Sequence, residues 1–206
     1  SVRNIKFFQI KPMSYQGVDM QVARSGWSKQ GGFEIYVNDA SRAGPLWDEL
    51  FDKGQDLSVG PGCPNGIERV ESGLLSLGND MDYDTTPFEC GLGQYVDLDA
   101  NIDSLSLPAL RQLVPQRQLK GLVIDQACTI SDSNVYLGDL CVGEITSQAY
   151  SPKYGVHLGF VLCSLSALGT NLTLDAHTNL GILQGQLTPL PFNFDALGLI
   201  PKTPAK

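Results

Sequence analysis

Histidine is scarce in this chain, and its scarcity excludes a good deal. Of 206 residues only two are histidines, His157 and His177. Neither stands at ligand spacing from a second His or Cys, so a metal site, zinc above all, has little support. Neither accompanies a Ser or Cys nucleophile elbow, which argues against the common hydrolytic triads. Basic charge is also short: 14 Lys and Arg against 22 Asp and Glu leave a formal charge of −8, with the acids scattered along the chain. Such a balance repels phosphate-bearing partners, so neither nucleic acid nor an anionic membrane is expected. No apolar run approaches the roughly 18 residues of a membrane span, and the opening Ser-Val-Arg-Asn lacks a signal-peptide core. Five cysteines (Cys63, Cys90, Cys128, Cys141, Cys163) form no Cys-x-x-Cys pair. Their odd number and irregular spacing fit reduced thiols better than a disulfide framework, so a soluble, cytoplasmic protein is expected.

What is present reads as α+β. The length suits one large domain or two small ones with a sizeable core. Residues 5–10, 18–24 and 32–38 read as strands. Pro45 to Phe51 reads as a helix with Pro at its start and Trp47 in the core; a second helix runs through Ile67, Val70 and Leu74, and a third from Pro108 to Val114. After Gln118 the character changes to six short β-rich segments, 119–125, 133–137, 141–147, 157–163, 171–175 and 180–187, separated by Gly, Ser, Asn and Asp. That is an all-β module, and the boundary is expected near residues 115–119. The tail from Asp195 to Lys206, rich in Pro and small residues, is expected to be loosely held.

The richest segment is Arg24 to Val37, Arg-Ser-Gly-Trp-Ser-Lys-Gln-Gly-Gly-Phe-Glu-Ile-Tyr-Val. As a strand, Phe33, Ile35 and Val37 face one side while Glu34 and Tyr36 stand together on the other. Upstream, Val18, Met20 and Val22 alternate with Asp19, Gln21 and Ala23, and Ser28 to Gly32 supply the turn of an antiparallel hairpin with Trp27 at its mouth. From the residues alone, Glu34 and Tyr36 are as readily the solvated face of an edge hairpin as a binding site.

This segment resembles the Arg-Thr-Gly-Tyr-Thr-Gly-Glu-Asp-Gly-Phe-Glu-Ile-Tyr-Val motif of the aminomethyltransferase family, the tetrahydrofolate-dependent T-protein of glycine cleavage and its relatives. Three further stretches follow in order: Gly66 to Asp80 resembles the family's Leu-Arg-x-Glu-x-Gly element, Pro87 to Gly93 its Pro-x-Glu-Ala-Gly-Leu element, and Val142 to Ser147 with Ser151-Pro152 the Val-Gly-x-Val-Thr-Ser element of its C-terminal domain. Within the family, Ala23 to Glu34, Gly62 to Arg69 and Gly78 to Met81 are most similar to the dimethylsulfoniopropionate demethylase branch. The Lys-Gly-Cys-Tyr-x-Gly-Gln signature of the iron-sulfur assembly branch is absent.

The resemblance implies an enzyme that moves a methyl group from a sulfonium to tetrahydrofolate, giving 5-methyltetrahydrofolate, with folate-dependent transfer from an amine donor as the alternative. It implies that residues 1–117 are the C-terminal part of a folate-binding core, 118–194 a C-terminal β-barrel or jelly-roll-like domain, and 195–206 a tail. By residue, Glu34 matches the family glutamate on the pterin N–H groups, Arg69 the arginine near the folate tail, and Trp27 with Tyr36 the residues around the substrate's cationic end; no catalytic residue is assigned. Arg69 is equally readable as a helix-surface partner of Glu71. Arg24 is expected to brace the hairpin. The family's N-terminal half is missing, so the implied partner, beside a small-molecule substrate, is that half or a second chain. Alone, the chain is expected to be inactive, and a non-catalytic, partner-binding module is the reading from a different class.

Overall fold

The computed structural model describes residues 2–25, 31–57, 59–62, 66–169 and 172–202. They fall into two compact units, residues 1–69 and 70–206.

The first unit is built on a three-stranded antiparallel sheet in the order β1 (Ile10–Tyr15), β2 (Val18–Ala23), β3 (Glu34–Val37). Strands β1 and β2 meet through Gln16 and Gly17, both at positive φ (49° and 78°), the backbone that a two-residue hairpin of matching twist requires. Alternation in β2 sends Met20 and Val22 inward, where they join Ile5 in a small core edged by Met13, Tyr15 and Leu46. Leu46 belongs to α1 (Ala43–Lys53). Two expectations change here. Residues 5–10 are not a strand: Ile5 is buried ahead of the sheet, and the strand starts at Ile10. Trp47 is not core either. It is 53% exposed, its ring tilted by 32° at 4.7 Å from that of Phe51 one turn on, and with Leu50, Leu57 and Val59 it lines an apolar recess of ≈ 500 Å³.

Helix α2 (Gly66–Glu71) begins at the end of the first unit and finishes at the start of the second. It is shorter than its periodicity predicts, because the chain turns at Gly73, whose φ is +66° and whose added Cβ would lie 2.8 Å from the Cα of Pro191. Only glycine fits that position. The third helix is likewise a single turn, α3 (Leu107–Leu110). Beyond it, Arg111 donates from its guanidinium to the carbonyls of Leu98 and Ala100 at 2.7 and 3.0 Å, fastening an otherwise irregular stretch.

The six β segments of the second unit become β4 (Arg117–Ile124), β5 (Ile130–Leu137), β6 (Leu140–Ser151), β7 (Val156–Ser164), β8 (Thr173–Thr178) and β9 (Gly181–Thr188), with the single-turn α4 (Leu165–Leu168) after β7. They close into a barrel in the order β4-β7-β6-β5-β8-β9, which leaves no open edge. Leu122, Ile124, Val135, Val142, Val161, Leu174 and Leu187 fill the inside. The outer faces of β4 and β7 are apolar as well, and Leu119, Val123, Leu158 and Phe160 pack there with Val70 and Phe192. This second layer explains why these strands read as continuous hydrophobic runs instead of clean alternation. It also corrects the tail. Leu197 and Leu199 pack on that outer layer, and Lys202 N donates to Lys153 O at 2.6 Å, so residues 195–202 are held; residues 203–206 lie outside those described. The boundary expected at 115–119 is where the barrel begins, but residues 70–116 pack in the same unit as the barrel.

One histidine is walled in by these strands. His157 is 6% exposed, its Nε2 meeting Gln148 Oε1 at 2.7 Å. Burial holds its imidazole below the ordinary 6.5, and the Cys128 backbone offsets this only in part. The folded chain therefore keeps His157 neutral at a pH where the unfolded chain protonates it. The contribution is fully present above pH 6.5 and is lost as pH falls from there toward the folded value. Urea midpoints are expected to drop between pH 7 and 5.5 and to drop less in His157→Gln.

Candidate functional site

The register Val22↔Ile35 and Met20↔Val37 puts the apolar side chains of β2 and β3 on one face, while Ala23↔Glu34 and Gln21↔Tyr36 define the other. The alternation read from the sequence is therefore realised. On that second face Tyr36 Oη donates to Glu34 Oε2 at 3.1 Å, and Ser25 Oγ donates a short hydrogen bond to the same oxygen. Both donors load Oε2, and among the described residues Oε1 accepts none. Glu34 and Tyr36 are exposed and Ser25 is half-buried. The result is a carboxylate oriented through one oxygen by its own hairpin, with a phenol ring beside it.

Ser25 is the member that sequence reasoning passed over. It lies two residues beyond Ala23, the register partner of Glu34, so the hairpin register alone predicts its place. Arg24 ties the end of β2 to the segment ahead of β1: its guanidinium donates to Ile5 O at 3.0 Å, and its backbone pairs with Phe8 and Gln9. Trp27 lies outside the described residues. Arg69 stands half-buried on α2. Glu71, the acidic neighbour weighed for Arg69, accepts from the fully buried Ser151 Oγ at 2.5 Å.

The hydrogen bond to Glu34 raises the Tyr36 phenol above its ordinary 10.0, since ionising it would set two anions side by side. Tyr36 is thus a neutral donor at physiological pH. Replacing Glu34 by Gln is expected to bring Tyr36 ionisation back down toward 10.0, which difference-absorbance titration against a Tyr36→Phe background reads directly.

The remaining motif stretches do structural work in the second unit. Asp80, 1% exposed, accepts from Ser76 N at 2.9 Å and from Thr146 Oγ1 at 2.8 Å, tying the loop after α2 to β6. Glu89, also buried, accepts from Thr86 N and from Arg117 Nε, both at 3.0 Å. Burial alone would raise the Glu89 carboxyl, but the bonds from Thr86 and Arg117 outweigh it and hold the group below its ordinary value. No group of three or more His, Cys, Asp or Glu able to hold a metal occurs among the described residues, and no helix among them is long and apolar enough to cross a membrane.

With this geometry in place, comparison with known proteins is informative. Residues 1–100 match the GCVT N-terminal domain family. The dimethylsulfoniopropionate demethylase of Ruegeria pomeroyi is 46% identical over 180 residues, 85% of this chain and 50% of that protein. Aminomethyltransferases of Synechococcus and Oceanobacillus iheyensis are 31% and 29% identical, over 85% and 93% of this chain and 50% and 54% of theirs. Among solved structures, the glycine cleavage system aminomethyltransferase T of Bartonella henselae superposes with a TM-score of 0.71 at 20% identity, covering 93% of this chain and 54% of that one; this shows a shared fold. The chain is thus similar to the aminomethyltransferase family, with residues 1–100 matching the family's domain. It spans about half the length of the curated relatives it matches.

Proposed function

We propose that this chain supplies one wall of the site of a tetrahydrofolate-dependent methyltransferase acting on a sulfonium, in the manner of a dimethylsulfoniopropionate demethylase, and that the other wall comes from the half of the family fold it lacks. In this reading residues 1–117 are the C-terminal part of the folate-binding core and 118–194 the C-terminal barrel domain. The observation that carries it is the Glu34 carboxylate, which accepts at Oε2 from both Ser25 and Tyr36 and at Oε1 from none of the described residues. An acceptor held this way suits the adjacent N–H donors along one edge of a pterin.

Tetrahydrofolate supplies the nitrogen that accepts the methyl group. The chain's part is binding and orientation, since a methyl on a sulfonium already has a good leaving group and needs alignment and exclusion of water more than covalent help. Glu34 fixes the ring's rotation, and Arg69 takes the folate's carboxylate tail. Tyr36, neutral and hydrogen-bonded, offers its ring to the cation alongside Trp27. An aromatic face is worth about 0.5–2 kcal/mol to a cation, so Trp27→Ala is expected to weaken sulfonium binding by roughly 2- to 30-fold while leaving folate binding within about twofold.

Isothermal titration of the full-length protein with tetrahydrofolate and dimethylsulfoniopropionate tests the reading; heat with glycine or dimethylglycine and none with the sulfonium would transfer the assignment to an amine donor. A sulfonium is favoured over an amine because the demethylase match is at 46% identity and these aminomethyltransferases at 29–31%. The span of about half a relative's length favours one second reading, a module that acts only when joined to a partner.

A further inference from the structure

The two donors on Glu34 Oε2 hold it in different ways. Tyr36 lies two residues along the same strand, so its bond moves with Glu34 and fixes nothing relative to the rest of the unit. Ser25 comes from across the hairpin. The last register pair of β2 and β3 is Ala23↔Glu34, and Ser25, two residues beyond Ala23, returns to the same face. Its own place is set by Arg24, whose backbone is bonded on both sides: Arg24 N donates to Gln9 O, and Phe8 N donates to Arg24 O, each at 2.9 Å. The Arg24 guanidinium adds a bond to the carbonyl of Ile5 at 3.0 Å, and Ile5 is 2% exposed in the core of the unit. Phe8 makes its bond from a φ of +62°. A bulky residue seldom adopts that backbone, and it persists only where the surroundings over-determine it. The buried core, Arg24, the Ser25 hydroxyl and the Glu34 carboxylate therefore form one continuous chain of contacts.

We infer that Ser25 is a positioning residue of this site: its hydroxyl, anchored through Arg24 to the core of the first unit, selects the rotamer in which Glu34 meets its ligand. An exposed glutamate is long and flexible, and without a partner from outside its own strand it samples several staggered rotamers that a ligand must then freeze out. A hydroxyl delivered from the neighbouring strand removes that freedom before binding, which is what a recognition group needs if it is to fix a ring's orientation. Arg24 acts only through Ser25, by holding the backbone from which the hydroxyl is presented. The inference rests on the proposed function only for what Glu34 recognises; the positioning itself stands on the hydrogen bonds.

The test uses the full-length protein. With no folate or sulfonium present, NMR couplings across the Glu34 Cα–Cβ and Cβ–Cγ bonds are expected to report a single rotamer in the unmodified protein and averaged rotamers in Ser25→Ala. The same variant is expected to let the Tyr36 phenol ionise closer to its ordinary 10.0, because the carboxylate swings away from it; difference absorbance against Ser25→Ala carrying Tyr36→Phe reads this. In turnover, Ser25→Ala is expected to raise KM for tetrahydrofolate by about tenfold and to change kcat by less than about twofold. Ser25→Thr, which returns the hydroxyl, is expected to recover most of that loss. A merely structural role would lower stability and move the KM values of both substrates together. Averaged couplings in the unmodified protein would overturn the inference, and that reading stands even if Ser25→Ala fails to fold. Couplings and phenol left unchanged by Ser25→Ala, or a KM that Ser25→Thr does not recover, would also overturn it. If Ser25→Ala frees the Glu34 rotamer and folate affinity does not change, the positioning holds and the assignment of Glu34 to the pterin is what fails.

Discussion

Replacing Asp80 by Ala is expected to cost about 3 kcal/mol of stability, read as a fall of roughly 6–12 °C in Tm for a chain of this size. The carboxylate is almost completely buried and is held by the Ser76 N–H and the Thr146 hydroxyl. Removing it takes the acceptor from the Ser76 N–H and leaves the Thr146 hydroxyl only the Phe160 carbonyl at 3.4 Å, and unmade bonds cost more than made ones gain. Asp80→Asn keeps one acceptor oxygen and is expected to lose about half as much. Thr146→Val removes one bond, and a double-mutant cycle with Asp80→Ala is expected to show coupling of about 1–2 kcal/mol. The measurement is urea unfolding of the four proteins. A cost below about 1 kcal/mol for Asp80→Ala would mean that the loop is held by its own turn, in which Gly78 N meets Met81 O at 2.7 Å, and that the link to β6 contributes little.

Glu34→Gln is expected to lower kcat/KM for methyl transfer by about 100-fold, equivalent to about 2.7 kcal/mol. The change falls mainly on folate binding. The substitution keeps size and keeps Oε-type bonding to Ser25 and Tyr36, but it removes the charge and turns one acceptor into a donor, which faces the N–H edge it is meant to bind. Tyr36→Phe retains the ring and is expected to cost less than about tenfold, seen in KM for the sulfonium. If Glu34→Gln leaves folate affinity unchanged, the carboxylate is a hairpin brace and the proposed orientation of the pterin fails.

Much of this site is legible in the sequence because it rests on short-range periodicity. The alternation of Val18, Met20 and Val22 with polar neighbours, and of Phe33, Ile35 and Val37 with Glu34 and Tyr36, is enough to decide the faces of β2 and β3. The six β segments of the barrel announce themselves in the same way. Strand β1 does not, because Ile10-Lys-Pro-Met-Ser-Tyr has a Pro in mid-strand and no clean alternation; only its position on an edge makes Pro12 acceptable. Trp47 misleads for a related reason. Apolar spacing on α1 marks a stripe, but it does not say which part of the stripe meets the core, and Leu46 takes that role. Asp80 carries no local signal at all. Its burial depends on Thr146, 66 residues further along the chain, and closure of the barrel by β4 against β9 is likewise a long-range event.

Product analysis on the full-length protein tests the central claim most directly. Incubation with tetrahydrofolate and dimethylsulfoniopropionate is predicted to yield 5-methyltetrahydrofolate, and incubation with glycine or dimethylglycine in its place is predicted to yield no folate product. No 5-methyltetrahydrofolate from the sulfonium, or product from the amine donors alone, would contradict it.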